Sequence, residues 1–520
     1  MRNPGTTATR ATRTLRRTVL RRASEKLGGG ARAKVVFLLA CVLALESADA
    51  ATIGATAIQL EHSLNIGNTE VGLLVSVSTG VGALATLPAG ALTDRVDRTR
   101  MLSLAILAWA IAMALGGLAP TYVFLLCTRI ALGAVVAAAG PTVASLIGDY
   151  FPVAERGQIY GYILSGELIG AGVGLLLSGD IAAALSWRYA FWILAAPSVV
   201  LAWAIWQRLP EPARDGSSRL MPAGSSHPFA RQNQEAGQDG QPDDQVTRET
   251  RRRDVSPRDP LVLHTDPTRR PLWWAVKYVL SVRTNRVLIV SSAFGFFFFS
   301  GLRTFAVVLL RGRYDVGQSV ANIVLFAIGV GAVLGALLGG RIADRLLGRG
   351  LLTARPVVAG AAFLIAAVCF LPGLSSTSLA LAAPLFFLAA LGLGGANPPL
   401  DGARLDLMPA RLWGRAEAVR TVLRYALGAA APVLFGWVST QLGGVSPGPA
   451  TGASHQPVSA QAANGLADAF SVMLVPLLIA GVLIVVWARR TYPRDVATAI
   501  ASDEEIGRTD ESESGNEEAI

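Results

Sequence analysis

Charged residues are scarce in this chain: Asp, Glu, Lys and Arg make up 16% of its 520 residues, whereas soluble domains carry about 25%. The scarcity argues against an ordinary soluble protein, and a mean hydropathy of +0.46 agrees. The net charge of +10 does not indicate a nucleic-acid partner, because most Arg lies in short loops and terminal segments beside apolar runs. That distribution is the positive-inside pattern of a multi-pass membrane protein.

Cysteine and histidine are also scarce, and the few that occur suggest no site. The three cysteines, Cys41, Cys127 and Cys369, lie inside apolar runs and are expected to be free thiols. The four histidines lie in loops or in the central linker, without the spacing of metal ligands. A phosphate-binding loop of the GxxxxGK[ST] type is missing, and so is a catalytic constellation. We therefore expect no metal, no cofactor, no catalytic residue and no enzymatic activity.

Long apolar runs, by contrast, fill most of the chain. Twelve of them reach about 20 residues, which is the length of a helix that crosses a bilayer. The sequence therefore predicts an all-α membrane protein with twelve transmembrane helices. The predicted spans are 34–58, 70–92, 101–118, 122–147, 157–179, 188–207, 287–310, 318–340, 352–372, 377–400, 415–440 and 467–488.

The charge of the loops predicts the orientation and the domain limits. Arg-bearing loops alternate with loops that carry few Lys or Arg, so both termini and the linker are expected in the cytoplasm. Lys is rare beside Arg, which is typical of a GC-rich bacterial gene, and the bacterial plasma membrane is the expected location. The predicted parts are a basic cytoplasmic arm (1–33), a six-helix bundle (34–208), a disordered cytoplasmic linker (209–271), an interfacial helix with a second six-helix bundle (272–490), and an acidic cytoplasmic tail (491–520).

The expectation of disorder rests on composition. The linker is rich in Pro, Gly, Ser, Gln, Asp and Arg and cannot bury enough apolar surface to fold, so we expect it to be disordered. The tail after about 498 is acidic, and we expect it to be disordered as well. Next to the linker, Trp273, Trp274 and Lys277 form a short amphipathic stretch that is expected at the headgroup level of the bilayer.

Two charged hinges between apolar runs are repeated in the same order, which indicates two related halves. The first hinge, Gly90-Ala-Leu-Thr-Asp94-Arg95, has a second copy at Gly340-Arg-Ile-Ala-Asp344-Arg345. The other repeat is a Pro-Asp-Pro pattern, in which each residue of the first copy has a counterpart at a constant offset in the second. The first copy is Pro141, Asp149 and Pro152, and the second is Pro398, Asp406 and Pro409.

These residues resemble the major facilitator superfamily. Gly90, Leu92, Asp94, Arg95 and Arg98 are similar to the superfamily's loop between spans two and three, and Arg129-x-x-x-Gly133 is similar to its span-four motif. The run from Gly140 to Gly174 has some likeness to spinster-like and drug-efflux carriers. The resemblance implies two pseudo-symmetric six-helix bundles that give alternating access to a central cavity, as in a secondary transporter.

The resemblance also implies a conformational latch in the hinges. Asp94 would lie near the start of the eleventh helix, Arg95 or Arg98 would pair with Asp149, and Asp344 and Asp406 would act in the second half. The latch residues that it implies are Gly90, Asp94, Arg95, Arg98, Asp149, Asp344, Arg345 and Asp406.

Ionisable residues inside the apolar runs are the candidates for proton coupling, because charge at bilayer depth is expensive. Glu46 and Asp49 lie one turn apart in the first span, and Arg129 lies in the fourth. At about 1.5 Å of rise per residue, Asp49 and Arg129 both reach the outer half of the membrane. We expect them to form an ion pair, which either exchanges a proton during transport or only fixes helix packing.

A central cavity is expected between the two halves. Glu167 in the fifth span and Arg424 with Tyr425 in the eleventh lie at related depths, and Glu167 and Arg424 are expected to contact substrate or each other. Asn397 belongs to a polar stripe where Pro398-Pro399 is expected to break the tenth helix. Phe294 and Phe298 in the seventh span line an apolar pocket or face lipid. Glycines spaced four apart predict close helix packing, as at Gly166-Gly170-Gly174 and Gly331-Gly335-Gly339.

The function predicted from these features is secondary active transport by alternating access, with proton-coupled efflux of a small amphipathic or apolar compound. The partners are the substrate, protons and the lipid bilayer, and the protein is expected to be a monomer. Two alternatives remain open. One is an uptake symporter for an organic acid that uses Arg129 or Arg424 to bind the anion. The other is a receptor or scaffold that needs the linker 212–268, which a transporter should tolerate losing.

Overall fold

The computed structural model describes residues 29–93, 96–151, 153–212, 245–267, 270–442 and 460–517, and these residues are almost entirely helical. A π-helix, Ile484–Ala488, joins the last two helices. The α-helices are α1 (Gly30–Ala55), α2 (Ala57–Leu64), α3 (Asn68–Thr93), α4 (Arg98–Gly117), α5 (Tyr122–Val136), α6 (Ala139–Tyr150), α7 (Val153–Ala184), α8 (Trp187–Arg208), α9 (Gln245–Arg252), α10 (Leu272–Ser281), α11 (Arg283–Tyr314), α12 (Gln318–Gly348), α13 (Ala354–Ser375), α14 (Leu379–Leu405), α15 (Trp413–Gln441), α16 (Ala460–Leu483) and α17 (Arg489–Glu517).

The predicted membrane helices are present. Ten helices in the described ranges are long and apolar enough to cross a membrane, and two shorter apolar helices, Tyr122–Val136 and Ile169–Ala184, lie in the predicted fourth and fifth spans. The fourth span continues past Val136 as α6 after a two-residue break. The all-α membrane fold is therefore confirmed.

One local expectation was wrong. The tenth span does not break at Pro398-Pro399, because α14 runs continuously from Leu379 to Leu405. Proline removes one backbone donor and bends a helix, but inside a membrane bundle neighbouring groups can compensate for the lost hydrogen bond.

The chain divides into two compact units. Unit one comprises Met1–Thr52, Leu84–Ile181 and Ser186–Gly240, and unit two comprises Ile53–Ala83, Ala182–Leu185 and Gln241–Ile520. The end of α1, all of α2 and the first part of α3 thus belong to unit two.

Unit one is held together by the close approach of α1 and α7. The predicted glycine ladder on α7 faces the backbone of α1, and a Cβ at Gly170 would lie 2.0 Å from the carbonyl oxygen of Ala44. Gly166 and Gly174 face Ala40 and Ala48 in the same way. Any larger side chain would push the helices apart, so the ladder does allow backbone contact as the sequence predicts.

Unit two contains a second ladder and an aromatic core. A Cβ at Gly335 on α12 would lie 2.0 Å from the carbonyl oxygen of Leu391 on α14. Four phenylalanines from α11, α13, α15 and α16 form the core cluster, with ring centroids 4.9–6.4 Å apart: Phe298, Phe370, Phe435 and Phe470. Such edge-to-face and tilted pairs add about 0.5–1.5 kcal/mol each beyond the burial of their area.

The acidic tail is not disordered where the structure describes it, because α17 extends to Glu517. The helix buries an apolar stripe that includes Val496, Ala499 and Ile506. Composition conceals this stripe because its few apolar residues are spread along many acidic ones. The expectation of a disordered tail was wrong for these residues.

The part of the linker at 245–267 is likewise ordered, since it lies along α17. The backbone N–H of Arg258 donates to Thr498 Oγ1 at 2.9 Å, that of Leu263 donates to Ser502 Oγ at 3.0 Å, and Arg251 pairs with Glu504 at 2.7 Å. Two polar segments thus supply each other with partners that neither has alone, which composition read segment by segment cannot detect. The expected disorder of 213–244 concerns residues outside the described ranges. Deleting 212–268 would therefore remove folded structure as well as linker.

The predicted amphipathic stretch forms α10. Trp273 is exposed on one side, whereas Ala275 and Val279 are fully buried on the other. Its placement at the headgroup level stays a prediction.

Asp495 joins these elements. Its buried Oδ2 accepts hydrogen bonds from the Thr284 backbone N–H at 3.0 Å and from the Thr284 hydroxyl at 2.6 Å. Its Oδ1 lies 3.2 Å from Arg258. One carboxylate therefore connects α17, the first turn of α11 and the ordered part of the linker.

We expect Asp495→Ala to lower the thermal unfolding temperature of the detergent-solubilised protein strongly. The change leaves the Thr284 N–H and Arg258 without their partner, a loss of about 3–5 kcal/mol for a broken buried pair. Glu505→Ala, which removes the exposed pair with Arg508, is the control and should cost at most about 1 kcal/mol. Equal losses in the two variants would show that Asp495 does not anchor α17.

Candidate functional site

The most buried ion pair among the described residues of unit one joins the first and fourth spans. Arg129 Nη1 on α5 lies 2.9 Å from Asp49 Oδ1 on α1, and the two side chains are 2% and 7% exposed. The sequence predicted this pair, and the structure forms it. Their opposite charges offset the cost of placing both groups away from water.

The rest of the Arg129 guanidinium lies beside a thioether sulfur and an aromatic ring. Its Nη2 lies 3.3 Å from Met113 Sδ, and its Cζ lies 4.8 Å from the centre of the Phe191 ring. Its Nε is buried without a hydrogen-bond partner. Asp49 is therefore the anion on which the buried Arg129 depends, and a proton on Asp49 would leave Arg129 uncompensated.

Glu46 lies one turn before Asp49 but has different surroundings. It borders a small, mostly apolar recess with Leu45, Ile106, Trp109 and Val135 among the other residues. Its location one turn from the ion pair agrees with the sequence analysis, and its role in proton coupling stays a prediction.

The first charged hinge is built around Arg98, at the start of α4. Arg98 forms an ion pair with Asp149, and its Nε donates to Glu211 at 2.8 Å. A third guanidinium nitrogen donates to the carbonyl oxygen of Pro212 at 2.8 Å. The pairing of Arg98 with Asp149 is as predicted. Gly90 lies in α3, whereas Asp94 and Arg95 lie outside the described residues.

Glu211 was missed by the sequence analysis. It follows the sixth span and also accepts the backbone N–H of Thr99 at 2.8 Å. Burial opposes its ionisation, but the hydrogen bonds from Thr99 and Arg98 outweigh burial and lower the pKa of its carboxyl. The only sequence signal was its place in Leu-Pro-Glu at the end of an apolar run. That signal was not decisive, because an exposed loop position was equally compatible with it.

The second hinge has a related arrangement. Arg355, at the start of α13, pairs with Asp406, and its Nη2 lies 3.8 Å from Asp344. The Tyr492 hydroxyl also donates to Asp406. Arg345 is exposed. Asp406 thus occupies the position in this half that Asp149 occupies in the other, as the repeat predicts.

A charge network without an equivalent among the described residues of the first repeat links α14 and α15. Arg420 donates to Asp401 at 2.6 Å and to Glu417 at 2.8 Å. Arg404 lies 3.3 Å from Asp401 and also pairs with Glu417. The two guanidinium groups are largely buried and the carboxylates are about half exposed. Glu417 was missed, although its spacing of three from Arg420 on a helix could have indicated it.

The predicted cavity residues have diverse surroundings. Glu167 is exposed on α7, and Asn397 is exposed on α14. Arg424 lies 4.2 Å from the centre of the Phe296 ring, and Tyr425 meets the same ring edge-on at 6.1 Å. A contact between Glu167 and Arg424 stays a prediction.

Two of the predicted cavity residues are phenylalanines of α11. Phe294 is half-buried. Phe298 is 1% exposed inside the aromatic core, so neither the apolar pocket nor the lipid-facing alternative describes it. A run of consecutive phenylalanines points to all sides of a helix, and sequence alone does not say which ring faces the bundle.

Comparison with known proteins decides the family. The family model described as Major Facilitator Superfamily matches residues 39–432. The chain belongs to the major facilitator superfamily. The match spans both hinges, the Asp49–Arg129 pair and the network between α14 and α15.

Solved structures agree with this fold. A bacterial homolog of the human lysosomal transporter Spinster, in an inward-facing and unoccupied conformation, superposes with a TM-score of 0.65 at 19% identity, covering 91% of this chain and 98% of that one. The occupied inward-facing form gives a TM-score of 0.64 at 20% identity, with the same coverage. At this level of identity the likeness shows the fold alone.

Curated relatives of this superfamily member include proteins named as transporters and a drug-resistance protein. The chain is 27% identical over 154 residues to a probable L-galactonate transporter of Escherichia coli, covering 30% of this chain and 34% of the relative. It is 30% identical over 186 residues to the puromycin resistance protein pur8 of Streptomyces alboniger, covering 35% and 36%. The chain spans about a third of the length of the curated relatives it matches.

We expect Arg98→Ala to destabilise this protein by about 3–5 kcal/mol, because it leaves Asp149 and Glu211 without their buried cation. Thermal unfolding in detergent measures the change. Arg100→Ala, two residues away, removes an exposed pair with Asp97 and should cost at most about 1 kcal/mol.

The Glu211 contribution should also depend on pH. Because its pKa is lowered in the folded protein, its stabilisation is present above the ordinary Glu value and is lost as pH falls through the lowered one. The stability difference between wild type and Glu211→Gln should therefore shrink in acid. A difference that grows in acid would contradict this assignment.

Proposed function

We propose that the protein is a secondary active transporter in which the Asp49–Arg129 pair couples proton movement to the movement of a small organic molecule. Membership of the superfamily supports transport by alternating access. The observation that carries the coupling role is the burial of both partners, at 2% and 7% exposure. A carboxylate in such a place must keep its cation or take up a proton, since a lone buried charge is unstable.

The coupling step requires only protonation of Asp49. The protonated acid no longer neutralises Arg129, whose Nε is already without a partner. Arg129 then has a free-energy advantage in any conformation that offers it water or an anion. One proton is thereby linked to a change in the packing of α1 against α5.

For the substrate, we propose a small amphipathic or apolar compound that is exported. Phe299 and Tyr425 both adjoin the Phe296 ring, and both are partly exposed. Aromatic surface of this kind suits an apolar ligand. The likeness to a puromycin resistance protein supports the same class.

The second candidate substrate is an organic acid that is taken up. Arg424 adjoins the same aromatic group, and a guanidinium can bind a carboxylate through two parallel hydrogen bonds. The likeness to a probable L-galactonate transporter and to a hexuronate transporter of Bacillus subtilis supports it. Arg129 is the weaker anion site, because Asp49 already occupies it.

The test is a proteoliposome assay with an imposed pH gradient and an internal pH dye. Puromycin, a lysolipid and galactonate are offered in turn to wild type, Asp49→Asn and Asp315→Asn. Asp315 is an exposed carboxylate in the left-handed conformation, which Asn also tolerates, so it is the matched control. We expect one compound to drive proton movement in wild type and in Asp315→Asn, and none to do so in Asp49→Asn.

One outcome would contradict the proposed coupling, and one further variant separates the two candidate substrates. Substrate-driven proton movement that persists in Asp49→Asn would remove the coupling role of the pair. Arg424→Gln separates the substrates, since it should abolish galactonate-driven movement but leave puromycin-driven movement largely unchanged.

A further inference from the structure

Glu61 is a buried carboxyl for which the coupling scheme has no use. It lies on the short helix α2, which follows α1 after a turn at Thr56 and lies outside the membrane-spanning helices. The residue is 5% exposed, and its Oε1 is buried without a hydrogen-bond partner. An ionised carboxylate in this position would be costly, because neither water nor a donor compensates that oxygen.

The charged groups around Glu61 do not neutralise it. On α3, Glu70 is a second carboxylate, whose Oε2 accepts the backbone N–H of Gly67 at 3.0 Å. On α11, which packs against α2, Arg311 donates to Gln318 at 3.1 Å, and Arg313 donates to Asn464.

On α2 itself, the neighbouring His62 has a buried Nδ1 without a partner. Burial first, and then the charge of Arg311, lowers the pKa of His62. This histidine is therefore expected to be neutral near pH 7. The neighbours of Glu61 are thus the carboxylate of Glu70 and the uncharged imidazole of His62. The described hydrogen bonds of the nearby arginines reach other residues.

Glu61 is buried because the segment 53–83 closes against α11 and α15. We call this contact the seam. A Cβ at Gly54 would lie 2.6 Å from the carbonyl oxygen of Arg303 on α11, and a Cβ at Gly72 would lie 2.3 Å from that of Pro432 on α15. Asn68 Nδ2 donates to Ser439 Oγ at 3.2 Å.

At its glycines the seam consists of close backbone approaches. This contact is therefore either closely packed or lost. It joins the loop between the first and second spans to helices of the second half. In a protein with alternating access, this contact has to open and close once in each cycle.

We propose that Glu61 is a second proton-binding site, which holds its proton while the seam is closed and releases it when the seam opens. The ligand is a proton, and the site consists of the Glu61 carboxyl, its neighbour Glu70 and the apolar packing of α2. Opening the seam would hydrate the carboxyl and remove the reason for its protonation.

The electrostatics support the geometry. Burial, followed by the charge of Glu70, raises the pKa of Glu61 to about 8. A raised value means that the closed seam binds this proton more tightly than the open one. Closure is therefore favoured at low pH and loses this contribution as pH rises through about 8.

This site differs from the Asp49–Arg129 pair in kind. Asp49 has a cation at 2.9 Å, whereas Glu61 Oε1 has no partner. Proton binding at Glu61 is an equilibrium property of the protein and can be measured without any substrate. The opening of the seam rests on the alternating access of the proposed function, but proton binding at Glu61 can fail while coupling at Asp49 stands, and the reverse also holds.

The test is an infrared titration of the whole protein in lipid, which follows the carbonyl stretch of protonated carboxylic acids. We expect a band in wild type that disappears with a midpoint of about pH 8. Glu61→Gln should lose this band. Glu70→Gln, the matched control, should keep it but shift its midpoint downwards, because a negative neighbour is removed.

A second pair of variants keeps Glu61 and changes only the seam. Gly72→Leu cannot close against Pro432, so its band should titrate towards the ordinary Glu value. Gly329→Leu, at a glycine with open space around it, should behave like wild type. A disulfide between Asn68→Cys and Ser439→Cys, in a background without the three native cysteines, should preserve the high midpoint.

Two results would overturn the inference. One is a band with a midpoint near pH 8 that survives in Glu61→Gln. The other is a midpoint that is unchanged when Gly72→Leu holds the seam open.

Discussion

The cost of an uncompensated charge in a low-dielectric medium governs the polar structure of this protein. In the described residues, the buried arginines that form ion pairs each have one or two carboxylate partners. These arrangements are Arg129 with Asp49, Arg98 with Asp149 and Glu211, Arg355 with Asp406, and Arg404 and Arg420 with Asp401 and Glu417. Because such charges are costly to separate, each pair restricts the conformations open to its helices. Glu61 is the instructive exception, since it can meet the same constraint by holding a proton.

The repeat shows which charges belong to the fold and which to this protein. Arg98 and Arg355 begin corresponding helices, and each pairs with the Asp of its own half, at the same offset that relates Asp149 to Asp406. Such a duplicated contact is expected of a latch. Among the described residues, the Asp49–Arg129 pair and the four-residue network between α14 and α15 each occur in one half only. Asymmetric charge is where two otherwise equivalent halves can do different chemistry, which supports the proposal of proton coupling at Asp49.

Much of this could be predicted from the sequence, and the failures have physical causes. The span positions were predictable because an apolar run of bilayer length fits few structures other than a membrane helix. The Asp49–Arg129 pair was predictable because a charge inside such a run has few ways to be neutralised. The ordered segments at 245–267 and 489–517 were not, since each depends on a partner distant in the chain. Glu211 and Glu417 were missed because a carboxylate next to an apolar run usually remains in water. Phe298 was misplaced because five phenylalanines close together carry no periodic signal.

The measurement that tests the central claim most directly is proton flux in the neutral double variant Asp49→Asn with Arg129→Gln. Replacing both partners removes the uncompensated charge, so the variant should fold and still equilibrate substrate across a proteoliposome membrane. Our account predicts that an imposed substrate gradient then moves substrate without moving protons. Substrate-driven proton flux equal to that of wild type would contradict it, because the pair would then be a packing element and the coupling site would lie elsewhere.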